Sequence, residues 1–212
     1  MPLVPLLRPS TAASLPVHQA IRQRRSRRGF YDRPMTLQEF SDLMFLSVGE
    51  TDHRDRSWPF RAFPSSGALF PTETYIGVRA VQGIEPGTYH YQPGRHALAL
   101  VRRGDHTGPL KRAALEQEMV ANAGAVIVLT SLFDRAAFKY KDRAYRYSLI
   151  EAGHIGQNLY LTAEALRLGC CGIGAFFDDD VNDLVGVDGL TEATVYMLVV
   201  GHSTHEAVSR AS

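Results

Sequence analysis

The sequence lacks the features of a disulfide framework, a metal centre or a membrane span. Its two cysteines, Cys170 and Cys171, are adjacent, and adjacent side chains diverge too far to form an unstrained disulfide. No further ligands stand at the spacing of a zinc site, so we expect two small buried side chains and no metal. No apolar run reaches the roughly 20 residues that cross a bilayer.

The charges nearly balance, with 23 Lys and Arg against 22 Asp and Glu. This balance excludes binding of polyanions over the whole surface, so a nucleic-acid site would need a local patch. The glycines form neither a G-x-G-x-x-G motif nor a P-loop. The sequence therefore does not indicate a Rossmann dinucleotide site or an NTPase.

The order of periodic segments predicts one α+β domain over residues 18–202. Residues 1–17 contain prolines and an arginine where a signal peptide has a continuous apolar run. We interpret them as an extended arm, residues 203–212 as a tail, and the protein as cytoplasmic. Helices are expected at 17–26, 34–50, 108–123, 143–169 and 178–187. Strands are expected at 73–81, 87–101 as a hairpin, 124–133, 170–176 and 193–201.

Two helices carry specific signals. Thr36 and Glu39 have the spacing of a capping box at a helix start. Residues 143–169 contain no proline and repeat apolar residues every three or four positions, which predicts one long buried helix. The predicted inward positions are Leu149, Ala152, Ile155, Leu159, Ala163 and Leu166. Gly153 and Gly156 should mark a close approach of another backbone, and Gly169 should cap the C-terminus.

Two short motifs have groups that suit an organic ligand. Arg24, Arg25, Arg27 and Arg28 surround Ser26, which is typical of a phosphate site or, alternatively, of a solvated basic turn. Ser65, Ser66 and Gly67 lie between two prolines. They form a stiff turn that can present hydroxyl and amide groups to a polar ring edge, although the same residues also form ordinary turns.

Residues 138–147 crowd basic and phenolic side chains into the stretch FKYKDRAYRY. A helical arrangement would place Lys139, Arg143 and Arg146 on one stripe, with Tyr140 and Tyr147 on another. The stretch is compatible with a solvated helix face, with stacking on bases, or with proton transfer. In the last case, Lys139 would stabilise a phenolate at Tyr140.

Taken together, these motifs resemble the FMN-dependent nitroreductase superfamily and, within it, the SagB-type dehydrogenases of thiazolines and oxazolines. The specific stretches are PSSGALFP at 64–71 and KYKDRAYRYSLIEAGHIGQNL at 139–159; RRSRRGF at 24–30 and GIGAF at 172–176 occur in the family's order. The resemblance implies an α+β fold with a central antiparallel or mixed sheet flanked by helices. It also implies an intertwined homodimer with FMN at the subunit interface.

The resemblance assigns roles to named residues. Arg24, Ser26 and Arg28, helped by Arg25, would hold the FMN phosphate and ribityl chain. Pro64, Ser65 and Ser66, with Gly67 in the same turn, would reach the ring from the other subunit, and Gly174 and Ala175 would lie near it. The sequence departs from ordinary nitroreductases at Ala68, where they have Asn. After the last strand, where many relatives carry a basic residue, it offers His202 and only distantly Arg210.

The resemblance also implies catalytic roles for Lys139 and Tyr140. The expected reaction oxidises a thiazoline or oxazoline in a peptide or carrier-bound intermediate to the azole, and O2 reoxidises the flavin. One alternative is an NAD(P)H-dependent nitro or quinone reductase of the same fold. Another is a non-catalytic scaffold of a heterocyclase complex. Besides the azoline-containing substrate, a cyclase or synthetase can be a partner protein. Neither a nucleic acid nor a membrane is expected as a partner.

Overall fold

A computed structural model describes residues 3–10, 15–52 and 59–204. The strands are β1 (Leu3–Pro5), β2 (Glu50–Asp52), β3 (Phe60–Arg61), β4 (Thr72–Val78), β5 (Gly87–Gln92), β6 (Ala97–Arg103), β7 (Ala125–Leu132), β8 (Gly169–Ile173) and β9 (Glu192–Gly201). The helices are α1 (Val17–Gln23), α2 (Leu37–Val48), α3 (Thr107–Ala113), α4 (Glu118–Asn122), α5 (Asp134–Tyr140), α6 (Arg143–Ala165) and α7 (Asp178–Val185).

Seven strands form one sheet in the order β1-β6-β5-β4-β7-β9-β8, and every neighbouring pair is antiparallel. The remaining two strands, β2 and β3, form a separate small hairpin. Helices cover the large sheet, so the predicted α+β architecture with an antiparallel central sheet is confirmed. The β5–β6 hairpin turns at Pro93–Arg95, as its Pro-Gly pair predicts.

The inner strand β7 separates two hydrophobic cores, which explains why its sequence is apolar without interruption. Ile127 and Leu129 face the core that also contains α2 and α6 side chains. Val126 and Val128 face the core built with α3, α4 and α7. Since both faces of the strand are buried, no polar alternation is required. Cys170 and Cys171 are buried free thiols that point to opposite cores, as expected for small core residues.

The capping box of α2 is present as predicted. The Thr36 side chain accepts a hydrogen bond from the Glu39 amide at 3.1 Å, and the Thr36 amide donates to the Glu39 carboxylate at 2.7 Å. Residues 3–10 are the main described part of the N-terminal arm: β1 pairs with β6, and Ser10 donates from both its amide and its hydroxyl to the buried Asp42 of α2. The arm is thus attached to the domain at two places.

Three expectations about helices are wrong. The segment 108–123 divides into α3 and α4 because Leu115 and Glu116 have positive φ angles. The long helix α6 ends at Ala165, since Arg167 also has a positive φ, and Gly169 begins β8 instead of capping the helix. Leu149 is 41% exposed, so α6 buries one side only. Within the described ranges, no helix is long and apolar enough to cross a membrane.

Candidate active site

Lys139 and Tyr140 are the last two residues of α5. The helix ends there because Lys141 has φ of 53° and ψ of −137°, a backbone conformation outside the helical region. A new helix, α6, begins at Arg143. The expected continuous helical stripe through residues 139–147 is therefore wrong, although Tyr140 and Tyr147 do meet edge to face, with ring centroids 4.9 Å apart.

Both side chains reach the turn that we call the serine–glycine loop, residues 64–70. Gly67 has φ of +64°, and a Cβ built on it would lie 2.6 Å from Tyr140 Oη and 2.8 Å from Lys139 Nζ. The ammonium also lies 5.3 Å from the centroid of the Tyr140 ring. A side chain at this position would have to displace both groups, and the positive φ also favours glycine. The predicted catalytic pair and the predicted ring-binding turn are therefore in contact within one chain.

A buried acid, Glu151 of α6, supports the serine–glycine loop. Ser65 Oγ accepts a hydrogen bond from the Phe70 amide at 2.9 Å and donates one to Glu151 of α6. Glu151, which is 2% exposed, also accepts from the Thr72 amide at 3.1 Å. Burial raises the pKa of Glu151 despite these hydrogen bonds. The Ser65 hydroxyl is thus engaged inside the chain.

The other residues of this loop are more accessible. Pro64 and Gly67 are exposed, and Ser66 is half-buried. No described residue forms a hydrogen bond with the Ser66 hydroxyl. Ser66 and the exposed backbone around Gly67 are therefore the groups that this loop offers to a ligand.

A second set of predicted site residues lies in the segment 24–28, two of which, Arg24 and Ser26, contact Tyr160 of α6. We call Arg24, Arg25 and Arg28 the arginine cluster. The Arg24 guanidinium lies 5.2 Å from the Tyr160 ring centroid, and Ser26 Oγ lies 3.0 Å from Tyr160 Oη. The same phenol accepts a hydrogen bond from the Gly172 amide of β8 at 2.7 Å. Tyr160 therefore connects Ser26 to the strand that leads to Gly174.

Among the described residues, no acid neutralises the charges of the arginine cluster. Arg25 donates to the carbonyls of Arg22 and Arg24, whereas Arg27 pairs with Glu164 at 3.5 Å. No carboxylate within the described part of the chain pairs with Arg24, Arg25 or Arg28. Three guanidinium groups without a carboxylate partner among the described residues, next to a serine in the chain, fit a phosphate monoester.

The remaining predicted positions have contrasting surroundings. Gly174 and Ala175 follow β8 and are exposed, and a Cβ on Gly174 would have no atom within 4 Å. Their backbone is therefore accessible to a ligand.

His202, which follows the last strand, lies beside an acid: its Nε2 is 3.5 Å from the Glu39 carboxylate at the start of α2. His202 thus does not supply the basic residue that follows the last strand in many relatives, and Arg210 lies outside the described residues.

Helix α6 separates the two sets of residues. Glu151, below the serine–glycine loop, and Tyr160, beside the arginine cluster, are nine positions apart, which corresponds to opposite helix faces and about 13.5 Å along the axis. The Tyr160 face borders an open groove of about 340 Å³. One chain therefore does not bring the two sets together.

The two helix glycines have unequal environments along this groove. A Cβ on Gly156 would lie 2.7 Å from the Tyr196 ring, whereas one on Gly153 would meet nothing within 4 Å. Within one chain, Gly156 therefore meets a side chain and Gly153 faces open space. The expected close approach of a second backbone stays a prediction about a partner copy.

Sequence reasoning missed Tyr160 and the supporting role of Glu151. A polar residue on an otherwise apolar helix stripe was the available signal for Glu151. Tyr160 gave a weaker signal, because an aromatic residue at helical spacing usually belongs to a core. Only the chain path of residues 24–28, beside Cys170 of β8, shows which residue meets Ser26.

The Nitroreductase family model matches residues 21–202, and the chain belongs to this family. MJ1384 of Methanocaldococcus jannaschii, which is named as a nitroreductase, is 38% identical over 165 residues, covering 78% of this chain and 81% of that protein. The family prediction is therefore confirmed.

Two further relatives are named as processing proteins. The microcin B17-processing protein McbC of Escherichia coli is 31% identical over 148 residues, 66% of this chain and 54% of McbC. The trifolitoxin-processing protein TfxB of Rhizobium leguminosarum bv. trifolii is 30% identical over 151 residues, 68% of this chain and 40% of TfxB. The chain thus spans about half the length of these two proteins, which support its relationship to the SagB-type branch.

Solved structures show the same fold. A chain of the E. coli microcin synthetase McbBCD complex, with truncated pro-MccB17 bound, has a TM-score of 0.73 at 24% identity over 94% of this chain and 78% of that one. A nitroreductase of Desulfovibrio desulfuricans in complex with FMN has a TM-score of 0.61 at 19% identity over 94% and 92%.

Proposed function

We propose that this protein is an FMN-dependent dehydrogenase that oxidises a thiazoline or oxazoline to the corresponding azole. The observation that carries the proposal is the convergence of Lys139 Nζ and Tyr140 Oη on Gly67. A phenol and an ammonium group at one point of a ring-binding loop are suited to proton transfer beside a flavin. The microcin and trifolitoxin processing relatives support a role in the maturation of a peptide or carrier-bound intermediate.

The residues present fit FMN. The arginine cluster with Ser26 would hold the phosphate, and Ser66, with the backbone at Gly67, Gly174 and Ala175, would meet the ring. When bound, FMN supplies the acceptor for a hydride, and O2 is the proposed final electron acceptor. These are the family's expected contacts, and the free guanidinium groups and accessible backbone of this chain are compatible with them.

We assign the proton to Tyr140. Aromatisation of the ring removes one proton beside the C=N bond and one hydride from the neighbouring carbon, so two electrons leave with the hydride. A Tyr140 phenolate would accept the proton, and the Lys139 ammonium would stabilise that phenolate by its charge. The two roles can be exchanged, with Lys139 as the base.

A complete site requires a second copy of the chain in this proposal. The serine–glycine loop and the arginine cluster lie on opposite faces of α6, so the loop of one copy would meet the cluster of the other. The open groove along Leu149, Gly153 and Gly156 provides an exposed helix face for this contact. The partial exposure of Leu149 is then explained by burial in the dimer.

The first test is the reaction itself. Purified protein should be yellow, release FMN on denaturation and convert a model thiazoline to a thiazole with consumption of O2. Tyr140→Phe and Lys139→Ala should each lose turnover by at least about 100-fold while retaining FMN. Tyr31→Phe, on the exposed segment before α2, is the matched control and should remain active. Colourless protein that cannot be reconstituted with FMN would overturn the proposal.

The likeness to MJ1384 favours one alternative, an NAD(P)H-dependent nitro or quinone reductase. Anaerobic titration distinguishes the two reactions. Rapid bleaching of the flavin by NADPH, without bleaching by a thiazoline, would favour the reductase. A non-catalytic scaffold predicts that Lys139→Ala and Tyr140→Phe leave production of the mature compound unchanged.

A further inference from the structure

Helix α5 has little hydrophobic contact to hold Lys139 and Tyr140 in place. It is seven residues long, Ala136 is its only buried residue, and Phe138 is 67% exposed. Helices this short are not stable without tertiary contacts. Apart from the contact of Tyr140 with Tyr147 of α6, the position of its C-terminal residues therefore depends on contacts made by its first turn.

The first turn of α5 is fixed by Arg135. Its Nη1 donates to the Phe70 carbonyl and to the Glu73 carboxylate, each at 2.7 Å. Phe70 ends the serine–glycine loop, and Glu73 lies in β4. One guanidinium thus binds the helix that carries the catalytic pair both to the loop that faces that pair and to the central sheet.

Glu73 is itself held in one orientation. His90 Nε2 lies 2.8 Å from its second carboxylate oxygen, and the Gln92 amide lies 2.7 Å from His90 Nδ1. An amide nitrogen can only donate, so Nδ1 accepts and the hydrogen on Nε2 donates to Glu73. Burial raises the pKa of Glu73, but the hydrogen bonds from His90 and Arg135 outweigh it and lower the pKa. The carboxylate is therefore ionised and fully oriented.

We infer that Arg135 and Glu73 are positioning residues that set the distance between the Lys139–Tyr140 pair and Gly67. Both polar heads lie close to Gly67, since a Cβ built there would be within 2.8 Å of each. A displacement of α5 by about an ångström would move the proton acceptor away from the ring-binding surface, which can cost about 100-fold in rate. This inference rests on the proposed function, since it assigns the pair a reaction to perform.

The structure offers a matched control at the other end of β4. Arg79 donates to the Asp32 carboxylate at 3.0 Å and to the carbonyls of Ala123 and Asn122. It therefore makes the same kind of contacts as Arg135, but it holds the segment before β7 instead of α5. Substitution of either arginine removes a carboxylate pair and backbone hydrogen bonds.

The test compares Arg135→Met, Arg135→Lys and Glu73→Gln with Arg79→Met. In the thiazoline assay, Arg135→Met and Glu73→Gln should lower kcat by about 30- to 100-fold with KM changed less than about threefold. Arg135→Lys keeps the charge and should recover at least about tenfold of the Arg135→Met loss. Arg79→Met should lower stability while keeping kcat within about threefold of wild type.

A second measurement does not require turnover. In the apoprotein, 3-fluorotyrosine at position 140 should give one sharp ¹⁹F resonance, and Arg135→Met should shift or broaden it, whereas Arg79→Met should not. Hydrogen exchange should increase over residues 66–70 and 134–141 in Arg135→Met but not in Arg79→Met. If the wild type oxidises no azoline but these changes occur, the proposed reaction fails and the positioning role stands.

Two results would overturn the inference. The first is an unchanged ¹⁹F resonance and unchanged exchange in Arg135→Met. The second is an equal loss of kcat in Arg79→Met, which would mean that general destabilisation explains the effect. If Arg135→Met does not fold, Arg135→Lys and Glu73→Gln are compared with Arg79→Lys by the same measurements.

Discussion

The serine–glycine loop and the arginine cluster bind the same proposed cofactor but are built differently. The loop is surrounded by buried and half-buried acids, Glu151 and Glu73, whose hydrogen bonds fix its backbone and the neighbouring helix α5. In the arginine cluster, Tyr160 contacts Arg24 and the neighbouring Ser26, and no acid among the described residues neutralises the three charges. On the loop side, hydrogen bonds therefore fix the positions of the groups that would meet the ring. On the cluster side, the positive charges would attract the phosphate. Mutations on the two sides should have different consequences.

The largest effect is expected at Gly67. Gly67→Ala places a Cβ against Tyr140 Oη and Lys139 Nζ. It also forces an alanine to a positive φ, which should lower the free energy of unfolding by about 1–2 kcal/mol. Turnover should fall by about 100-fold or more. Gly174→Ala, at an open position on the cluster side, is the control and should leave stability within about 0.5 kcal/mol of wild type. Retention of full activity in Gly67→Ala would contradict the steric argument.

The second-largest effect is expected on the loop side, where substitution of Glu73 and of Glu151 should change the free energy of unfolding differently. At pH 7, Glu73→Gln should lower the free energy of unfolding by about 2 kcal/mol, because it breaks a largely buried charged pair. Glu151→Gln should lower it less, because the amide oxygen can still accept a hydrogen bond and no charge is buried, while the new N–H groups face the donors Ser65 and Thr72. Urea denaturation of both variants measures the difference.

The two wild-type carboxyl groups, Glu73 and Glu151, should change the stability with pH in opposite directions, and each substitution removes one of these contributions. The pKa of Glu73 is lowered from 4.5, so its ionisation contributes stability that is present above pH 4.5 and is lost as the pH falls through the folded pKa. The pKa of Glu151 is raised from 4.5, so its contribution is present below pH 4.5 and is lost as the pH rises through the folded pKa. Identical pH profiles for the two variants would refute this assignment.

A smaller effect is expected in the arginine cluster. Arg28→Gln removes one free cation and should weaken FMN binding by about tenfold, with the loss reduced at high salt because the contact is screened. The melting temperature of the apoprotein should not change, since no described residue pairs with Arg28. Fluorescence titration with FMN at two salt concentrations measures this. A marked fall in apoprotein stability would mean that Arg28 has a structural role instead.

The smallest effect is expected at Tyr160. Tyr160→Phe leaves the Gly172 amide without its acceptor and should lower the free energy of unfolding by about 1 kcal/mol. Tyr145→Phe, whose ring is 60% exposed, is the control and should have no measurable effect. Equal stability of the two variants would show that the hydrogen bond to Gly172 contributes nothing.

The sequence predicts elements that depend on local pattern. The capping box at Thr36 and the apolar run of β7 are examples, because neighbouring residues determine both. The end of α5 could not be predicted in this way: Lys141 adopts a positive φ that its side chain does not favour, and the approach of Gly67 to Tyr140 requires the tertiary fold. The family resemblance indicated which residues to examine. It did not indicate that Arg135 and Glu73 support them, since both residues look like ordinary surface charges in the sequence.

The short strand β1 has a consequence for behaviour in solution. It pairs with β6, a strand of seven residues, while the chain around Ser26 and Arg27 binds the backbone of β8 at the opposite border of the sheet. Unpaired sheet borders recruit strands from other molecules and start aggregation. Pro5 within β1 has no amide hydrogen to offer such a strand. We therefore expect the arm to hinder the formation of intermolecular sheets on this side of the sheet when the protein is concentrated.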